Sequence, residues 1–406
     1  MDTKDLLARI DKEACLDFLA EMVRHKSYSE TPGERRIVDF MAERMREIGL
    51  ETETQPFEGD RANAIGVWKG TGGGKSLLFN GHVDTNPVTE GWTVDPWGGL
   101  VDDKFIYGIG VSNMKAGDAA YFCAAKTLIN AGVQVKGDVI LTYVVGELQG
   151  GVGTLAAIEQ GWKADYFINT EPTDLKALTM HAAAFTFIIE LTGVTRHLSK
   201  REEAVDAILA ACRLIPALTS MTFSGARSAE HRSINRCHVG VVHGALGKDL
   251  HEWRPPQVAD FVRLKGSARY APGQDEATVL ADMRRVLDEI EADFPGLSAT
   301  LTPEHTIGRP AMPPFEVAKD SPIVRAVNDA YRLVRGEDQP TGAITPPGFY
   351  GTDAAHLYQR AGMEGIVCGP GGRYNTMPDE RVDITDFLDA VRIYMLAILS
   401  ICERAG

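Results

Sequence analysis

Absent features exclude several classes of protein. The 406 residues include 42 lysine or arginine and 56 aspartate or glutamate residues, which gives a formal net charge of −14. This acidic balance argues against a nucleic-acid surface and a polybasic membrane patch, although a locally positive site can still bind a small anionic substrate. No apolar run reaches the roughly 20 residues of a membrane span. Residues 1–7 contain neither the basic nor the apolar part of a signal peptide. We therefore expect neither a nucleic-acid nor a membrane partner.

Cysteine is scarce, and its distribution argues against a disulfide framework. The chain has six cysteines, and no two of them form a Cys-x-x-Cys motif. Scattered single cysteines are typical of buried free thiols in a reducing compartment, whereas disulfides persist in oxidising ones. The predicted location is therefore the cytoplasm. The six residues are Cys15, Cys123, Cys212, Cys237, Cys368 and Cys402.

Alternating helical and apolar patterns predict an α/β architecture toward both ends of the chain. A length of 406 residues exceeds one ordinary hydrophobic core, so two domains are expected. Buried strands that alternate with helices indicate a mostly parallel sheet covered on both faces. The predicted helices are 3–24, 31–48, 114–131, 150–160, 322–334 and 384–401, and the strands are 61–69, 75–82, 138–145, 166–168 and 365–368.

The middle of the chain has a different pattern. Its elements follow the order βαββαβ, which is that of a ferredoxin-like unit. A compact unit inserted between two pieces of another domain is the simplest account of this change. The predicted elements are the strand 185–191, the helix 201–218, the strands 238–243 and 261–269, the helix 274–292 and the strand 298–302.

A histidine at a strand end is the first candidate metal ligand. The apolar run Leu77–Phe79 is followed by Asn-Gly-His82-Val-Asp84. Imidazole is a common metal ligand, and a nearby carboxylate can orient the ring. The alternatives are that His82 is an ordinary hydrogen-bonded histidine and that Asp84 is a turn residue.

Six segments resemble the motifs of one metallohydrolase family. Residues 77–85 resemble the first metal motif of the acetylornithine deacetylase, succinyl-diaminopimelate desuccinylase and carboxypeptidase G family. The resemblance covers nearly the whole chain, and it implies a zinc-peptidase-like catalytic domain with an inserted lid and dimerisation domain. The implied division is 1–183 and 306–406 for the catalytic domain and 184–305 for the ferredoxin-like lid. The other matching segments, in family order, are 92–96 with 107–117, 146–154, 170–173, 193–197 and 369–380.

Three of the implied metal ligands are replaced. Members of the family usually hold two zinc ions about 3.5 Å apart, as two-metal sites generally do. The resemblance assigns one ion to His82, a bridging aspartate and Glu171. It assigns the other to the same bridge, a second glutamate and a histidine near the C-terminus. This chain has Asn113 in place of the bridging aspartate, Leu148 in place of the second glutamate and Thr376 in place of the histidine.

Counting charges predicts one metal ion instead of two. Two divalent ions a few ångströms apart repel strongly, and Asn113 lacks the charge of a bridging carboxylate. His82, Asn113 and Glu171 remain as an N/O/O set with open positions, which suits manganese or iron(II) better than tetrahedral zinc. We expect one divalent ion per chain, preferably manganese; the alternative is a site with no metal. Asn113 could also be the N-cap of a helix that starts at Met114.

The resemblance implies two further catalytic residues. Glu147, the retained member of a glutamate pair, would act as general base and pass the proton to the leaving nitrogen. His197 would be the lid histidine that reaches the active site of a partner subunit and stabilises an oxyanion. Catalysis would then require a homodimer or a larger oligomer built from dimers. The alternatives are a solvated glutamate and a structural histidine.

Substrate-binding residues are implied in the lid and in the last motif. Arg269 resembles a lid arginine that can bind a substrate carboxylate through two parallel hydrogen bonds, although Ser267 stands where the family usually has aspartate. Arg373 and Tyr374 lie beside the position of the missing histidine. Arg373 could supply guanidinium charge where metal charge is lost; the alternative is a surface arginine.

Other side chains receive less specific assignments. His181 and His356 are further polar candidates for the site. Thr352 and Asp353 resemble family positions with a structural role. Trp92 and Trp97 are assigned to packing.

The predicted activity is hydrolysis of a C–N bond in a small carboxylate-bearing molecule. Glu147 would deprotonate water bound to the single ion. Without a second ion to polarise a carbonyl, the site favours a substrate that delocalises charge itself. The chain also resembles the aromatic aminohydrolase branch, which predicts deamination of an electron-poor aromatic amine such as 5-nitroanthranilate, a step in degrading aromatic compounds. The alternatives are an amidase, N-deacylase or carboxypeptidase, and a non-catalytic binding protein.

Overall fold

The structure, a computed structural model, divides into two compact units and describes residues 2–252, 255–305 and 309–405. The first unit comprises Met1–Met180, Phe315–Pro347 and Thr352–Gly406, and the second comprises His181–Pro314 and Gly348–Gly351. The predicted break at 183/184 lies three residues from the observed one. Residue 306, the other predicted boundary, lies outside the described residues. The return of residues 348–351 to the second unit was not predicted.

The helices largely follow the predicted helical segments. The segment 3–24 is two helices, because residues 8–11 are not helical, and several short helices were not predicted. Thr31 caps the third helix, where its hydroxyl accepts the Gly33 N–H, and Pro32 occupies the first turn. The helices are α1 (Thr3–Leu7), α2 (Lys12–Arg24), α3 (Pro32–Glu47), α4 (Ala116–Asn130), α5 (Val152–Glu159), α6 (Ala207–Ser220), α7 (Ala229–Ser233), α8 (Glu276–Asp293), α9 (Pro322–Arg335), α10 (Ala354–Gln359) and α11 (Ile384–Ile401).

The strands include one that the sequence patterns did not indicate. Glu51–Glu58 carries three exposed glutamates and no apolar run, so its pattern does not predict a strand. The strands are β1 (Glu51–Glu58), β2 (Arg61–Trp68), β3 (Leu77–His82), β4 (Phe105–Tyr107), β5 (Val139–Val144), β6 (Tyr166–Pro172), β7 (Ala177–Leu178), β8 (Met180–His181), β9 (Ala183–Thr192), β10 (Arg236–Ala245), β11 (Phe261–Tyr270), β12 (Ser298–Glu304), β13 (Phe315–Glu316), β14 (Thr341–Gly342), β15 (Glu364–Gly369) and β16 (Arg381–Asp383).

The first unit is built on an eight-stranded, mostly parallel sheet, as predicted. The strand order is β1-β2-β5-β3-β6-β15-β7-β14. The central strands β5, β3, β6 and β15 pair in parallel, and the pairs β1–β2, β2–β5 and β15–β7 are antiparallel. Because β5, β3 and β6 are parallel neighbours, their carboxyl ends lie along one edge of the sheet. Residues that follow these three strands therefore come together, as ligands do at such edges.

The second unit has the predicted ferredoxin-like order. Strands β9, β10, β11 and β12 form an antiparallel sheet in the order β10-β11-β9-β12. Helices α6 and α8 pack against each other and against this sheet. Phe187, Leu214, Leu264 and Leu287 are among the buried side chains of the core.

No helix among the described residues is long and apolar enough to cross a membrane.

We predict that Gly266→Ala destabilises the second unit by about 1–3 kcal/mol, as overpacking does. A Cβ at Gly266 would overlap the Phe187 ring and the main-chain oxygen of His238, and the oxygen belongs to a paired strand. Gly240→Ala on the adjacent strand is the matched control, because its nearest neighbour would lie 3.9 Å away. Denaturant unfolding of both variants measures the difference. Equal stability of the two would contradict this account of the packing.

Candidate metal centre

Three neighbouring strands bring the first cluster of donors together. His82 ends β3, Glu171 lies near the end of β6, and Glu147 follows β5 in the short 3-10 helix Glu147–Gln149. One donor atom from each of the three lies within 4.8 Å of those of the other two. The distance from His82 Nε2 to Glu171 Oε1 is 3.5 Å. The sheet edge thus forms a compact group of one imidazole and two carboxylates.

Asn113 joins this group from a neighbouring segment. Its Oδ1 lies 3.3 Å from His82 Nε2. It belongs to a short π-helix, Val111–Lys115, that leads into α4. Helix α4 begins at Ala116 with Lys115 at the N-cap position, so the alternative that Asn113 caps this helix is wrong. The Asn113 N–H instead donates to Glu380 Oε1 at 3.0 Å.

Hydrogen bonding leaves Nε2 of His82 available as a ligand. The other ring nitrogen, Nδ1, lies 2.9 Å from the main-chain oxygen of Asp84. Since a carbonyl oxygen only accepts, Nδ1 carries the proton in the neutral ring, and Nε2 of that neutral form keeps a lone pair. The Asp84 carboxylate lies farther from Nδ1, at 3.5 Å, and accepts from Ser29 Oγ at 2.5 Å and from the Gly146 N–H at 2.9 Å. Orientation of His82 thus comes first from the main chain.

The pKa values reflect burial and the negative charges held close together in this cluster. Burial and the Glu171 charge raise the pKa of Glu147 well above its usual range. Burial raises the pKa of Glu171 to about 7, against an opposing effect of His82. Burial alone would lower the pKa of His82, but the Asp84 hydrogen bond and the Glu171 charge outweigh it and raise the pKa well above its usual range. A cation between these groups would stabilise the ionised carboxylates and the neutral imidazole.

The donor set fits a divalent ion. Ligand bonds of about 2.1 Å place neighbouring ligand atoms roughly 3.0–3.4 Å apart. The observed 3.3 and 3.5 Å separations from His82 Nε2 to Asn113 and Glu171 are close to that range. Imidazole, amide and carboxylate donors suit manganese, iron or zinc.

A cavity of about 250 Å³ opens beside these donors. His82, Asn113 and Glu380 contribute polar groups to it, and Leu148 and Thr376 line it as well. The rest of its wall includes the apolar side chains Trp92, Ile109 and Met377. Trp92, which the sequence assigns to packing, thus also faces the cavity, and its position in a family motif is the available signal. The sequence patterns do not single out Ile109, Met377 or Glu380.

The two substrate-binding candidates of the last motif do not line this cavity. Arg373 is exposed, and its guanidinium lies 3.4 Å from Asp174 and 3.5 Å from Asp386. Tyr374 packs against Phe105 and beneath the guanidinium of Arg381. A substrate-binding role for Arg373 would require it to leave both carboxylates, which is the physical objection to that prediction.

The two lid candidates lie in the second unit. His197 is exposed, and its Nδ1 accepts the Ser199 N–H at 3.2 Å. Arg269 lines a cavity of about 730 Å³ together with Arg236, and the register of β10 and β11 places these two arginines directly opposite each other. Phe349, from the short returning segment, contributes a ring 3.6 Å from the Arg236 guanidinium carbon.

The fold and the donor cluster define a class of metal-dependent hydrolases, and comparison with known proteins identifies the family. Residues 78–400 match the model of Peptidase family M20/M25/M40, so the chain belongs to that family. This confirms the predicted resemblance. Members hydrolyse amide and peptide C–N bonds with divalent metal ions, and the chain is a metal-dependent hydrolase of that kind.

Curated relatives match over most of their length. An N-formyl-4-amino-5-aminomethyl-2-methylpyrimidine deformylase from Bacillus subtilis is 25% identical over 394 residues, which cover 91% of this chain and 89% of the relative. An acetylornithine deacetylase from Aliivibrio fischeri is 27% identical over 376 residues, which cover 90% and 92%.

Solved structures of the family share the fold. An aminopeptidase from Bacillus cereus superposes with a TM-score of 0.76 at 19% identity, covering 97% of this chain and all of the other. An M20 family metallo-carboxypeptidase from Sulfolobus solfataricus superposes with a TM-score of 0.71 at 18% identity, covering 95% and 99%.

Proposed function

We propose that the chain binds one divalent ion, preferably manganese, through His82, Asn113 and Glu171. The short distances among these donors and the free lone pair of His82 Nε2 support this set. Glu147 has a donor oxygen in the same cluster. We assign it the role of general base, because a base must reach water held at the ion.

The observation that carries the proposal is the replacement of second-ion ligands on the cavity wall. Leu148 and Thr376 both line the cavity beside His82 and Asn113. A leucine offers no lone pair, and a threonine hydroxyl is a poor ligand for zinc. Only the donors of one ion therefore remain. Leu148, Trp92 and Ile109 give the wall an apolar surface suited to a flat ring.

We propose that the substrate is an electron-poor aromatic amine with a carboxylate, such as 5-nitroanthranilate. The bound ion would lower the pKa of water and so supply the nucleophile. Glu147 takes the proton as the water oxygen bonds to the ring carbon that bears the amine, and the ring and nitro group take up the electron pair. Glu147 then returns the proton to nitrogen as the C–N bond breaks and ammonia leaves. The proposed activity is thus hydrolytic deamination of an aromatic amine.

A substrate carboxylate would bind Arg269 in this proposal. Arg236 faces it across the sheet, and like charges directly opposite are unfavourable unless an anion lies between them. Arg269 has no acidic partner among the described residues, in contrast to Arg373 with its two carboxylates. Asp84 would hold His82 and the turn that carries Glu147 at a fixed separation. His197 would act in the active site of the partner subunit.

A second candidate, an N-deacylase or deformylase, is favoured by the names of the curated relatives. Both relatives cited above remove an acyl group from nitrogen. Glu147 would serve the same role on an amide, and the tetrahedral oxyanion would need stabilisation from another group.

The metal content tests the ligand assignment. We predict about one manganese, iron or zinc ion per chain, and about two in a variant that combines Asn113→Asp, Leu148→Glu and Thr376→His, because these restore the second ligand set. Elemental analysis of gently purified protein measures both. Two ions in the natural chain, or one in the triple variant, would contradict the assignment.

The product tests the reaction. We predict that the metal-loaded chain releases ammonia from 5-nitroanthranilate and does not release acetate from acetylornithine, with ammonia assayed enzymatically and acetate by chromatography. Glu147→Gln should lower the rate by roughly 100-fold to 10,000-fold, the usual contribution of a general base. Release of acyl groups without ammonia would favour the deacylase. No turnover of either class would favour the binding protein.

We also propose that the second unit forms a homodimer interface. Strand β10 is an edge strand, and its Val241 and Val242 are exposed together with Ile208 and Leu209 of α6. Exposed apolar edges are rare on monomers and are suited to pairing with a second copy.

The predicted cytoplasmic location remains part of the proposal, and it is compatible with six free cysteines.

Sedimentation velocity tests the dimer. We predict a dimer for the natural chain and a monomer for Val242→Lys, since a buried unpaired ammonium at the interface is costly. Leu333→Lys is the control, because Leu333 is 65% exposed on α9 in the first unit, compared with 49% for Val242. A monomeric natural chain, or equal dissociation of both variants, would overturn the assignment.

A further inference from the structure

The position of Glu147 is determined by the turn that carries it. The short helix Glu147–Gln149 lies between Gly146 and Gly150, whose φ angles are +86° and +85°. Both angles favour glycine over residues with a side chain. Among the described residues, no group donates a hydrogen bond to the Glu147 carboxylate. Gln149 and Gly150 in the same turn, in contrast, accept hydrogen bonds from side chains outside it. The carboxylate therefore goes where the turn places it.

The largely buried ion pair of Arg61 and Glu34 contacts the turn at Gln149. Gln149 is buried, and its Oε1 accepts a hydrogen bond from Arg61 Nη2 at 2.9 Å. Arg61 is itself held by Glu34 through two bonds, Nε to Oε2 at 2.7 Å and Nη2 to Oε1 at 2.9 Å. Glu34 is 1% exposed, and a Cβ at Gly146 would lie only 2.7 Å from Arg61 Nη2. The guanidinium thus packs directly against the residue that precedes Glu147.

A buried histidine forms a hydrogen bond with the last residue of the turn. His356, in the first turns of α10, has Nε2 2.9 Å from the main-chain oxygen of Gly150. Because that oxygen only accepts, Nε2 carries the proton and donates. Asp353, one turn earlier, accepts from Thr154 Oγ1 at 2.7 Å, and a Cβ at Gly151 would overlap its carboxylate. Helix α10 is therefore in close contact with the end of the turn.

We propose that Arg61, acting through Gln149, and His356 are positioning residues for Glu147. They contact the turn at two different residues, Gln149 and Gly150, and neither forms a hydrogen bond with the Glu147 carboxylate. A general base must be held within about 0.5 Å of its working geometry, and a displacement of roughly 1 Å can cost about 100-fold in rate. The proposal rests on the proposed role of Glu147 as general base.

The test uses paired variants that keep the Arg61–Glu34 pair intact. Gln149→Leu removes the acceptor with little change in volume, and Gln149→Glu keeps an acceptor for Arg61. His356→Leu removes the donor, and His356→Gln offers an amide N–H in its place. Gln339→Leu is the matched control, because Gln339 is also a buried glutamine and bonds the Leu175 oxygen at 2.6 Å elsewhere in the same unit.

Hydrogen exchange and kinetics of the metal-loaded full chain are the two measurements. In Gln149→Leu and His356→Leu we expect amide exchange at Gly150 and Gly151 to rise about tenfold, because their N–H groups bond oxygens within the turn. We expect kcat to fall about 10-fold to 100-fold with KM and metal content within about twofold. Gln149→Glu and His356→Gln should restore most of the slow exchange and most of kcat. Gln339→Leu should change neither the exchange at Gly150 and Gly151 nor kcat.

Three results would overturn the inference. The first is exchange in the turn that matches the control in both leucine variants. The second is a loss of kcat that is equal in the leucine variants and in Gln339→Leu, since this would indicate general destabilisation. The exchange measurement needs no substrate, so it remains decisive for the turn even where the proposed reaction fails. The third overturning result is faster exchange with unchanged kcat, because the side chains would then order the turn without positioning a base.

Discussion

The mutual repulsion of carboxylates at one sheet edge is the constraint on which the site depends. Parallel strands β5, β3 and β6 bring Glu147, His82 and Glu171 within 4.8 Å of one another. Two negative charges at such a distance in a buried place are unfavourable. Burial raises the pKa of both glutamates, and the Glu171 charge raises that of Glu147 further. A bound cation converts the same arrangement into a favourable one. The sheet topology and the requirement for a metal ion are therefore two aspects of one arrangement, since the strands could not bring these acids together without a counter-charge or protons.

Much of this site was predictable from sequence because it follows from strand ends. His82 and Glu171 end buried apolar runs, and the alternation of helices and strands predicts that these ends share an edge. Other parts depend on contacts that no local pattern contains. Strand β1 was missed because its glutamates lack an apolar run, and Trp92 was assigned to packing because a tryptophan in a loop gives no sign of the cavity it faces. Arg373 illustrates the same limit, since its pairing with Asp174 joins segments that are far apart in the chain.

A single backbone turn can serve either one ion or two. Glu147 and Leu148 are adjacent in the same short helix, and only the side chain at 148 distinguishes a ligand from an apolar wall. Leucine in place of glutamate at position 148 removes a negative charge and adds apolar surface for a ring. Under the proposed function, the change needed to move between amide hydrolysis and addition of water to an arene would therefore be small in sequence and large in electrostatics. The family fold tolerates it because Leu148 lines a cavity and so leaves the packed core undisturbed.

Asp84 makes the separation between the proposed base, Glu147, and the proposed metal ligand, His82, difficult to alter. Its main-chain oxygen orients His82, and its carboxylate accepts the N–H of Gly146, one residue before Glu147. Any shift of this residue moves both partners together, so the distance between them is nearly invariant. Adaptation to larger or smaller substrates must then come from the cavity wall around Trp92 and Met377. Laboratory evolution of this scaffold should accordingly accumulate substitutions on that wall and leave the reaction centre unchanged.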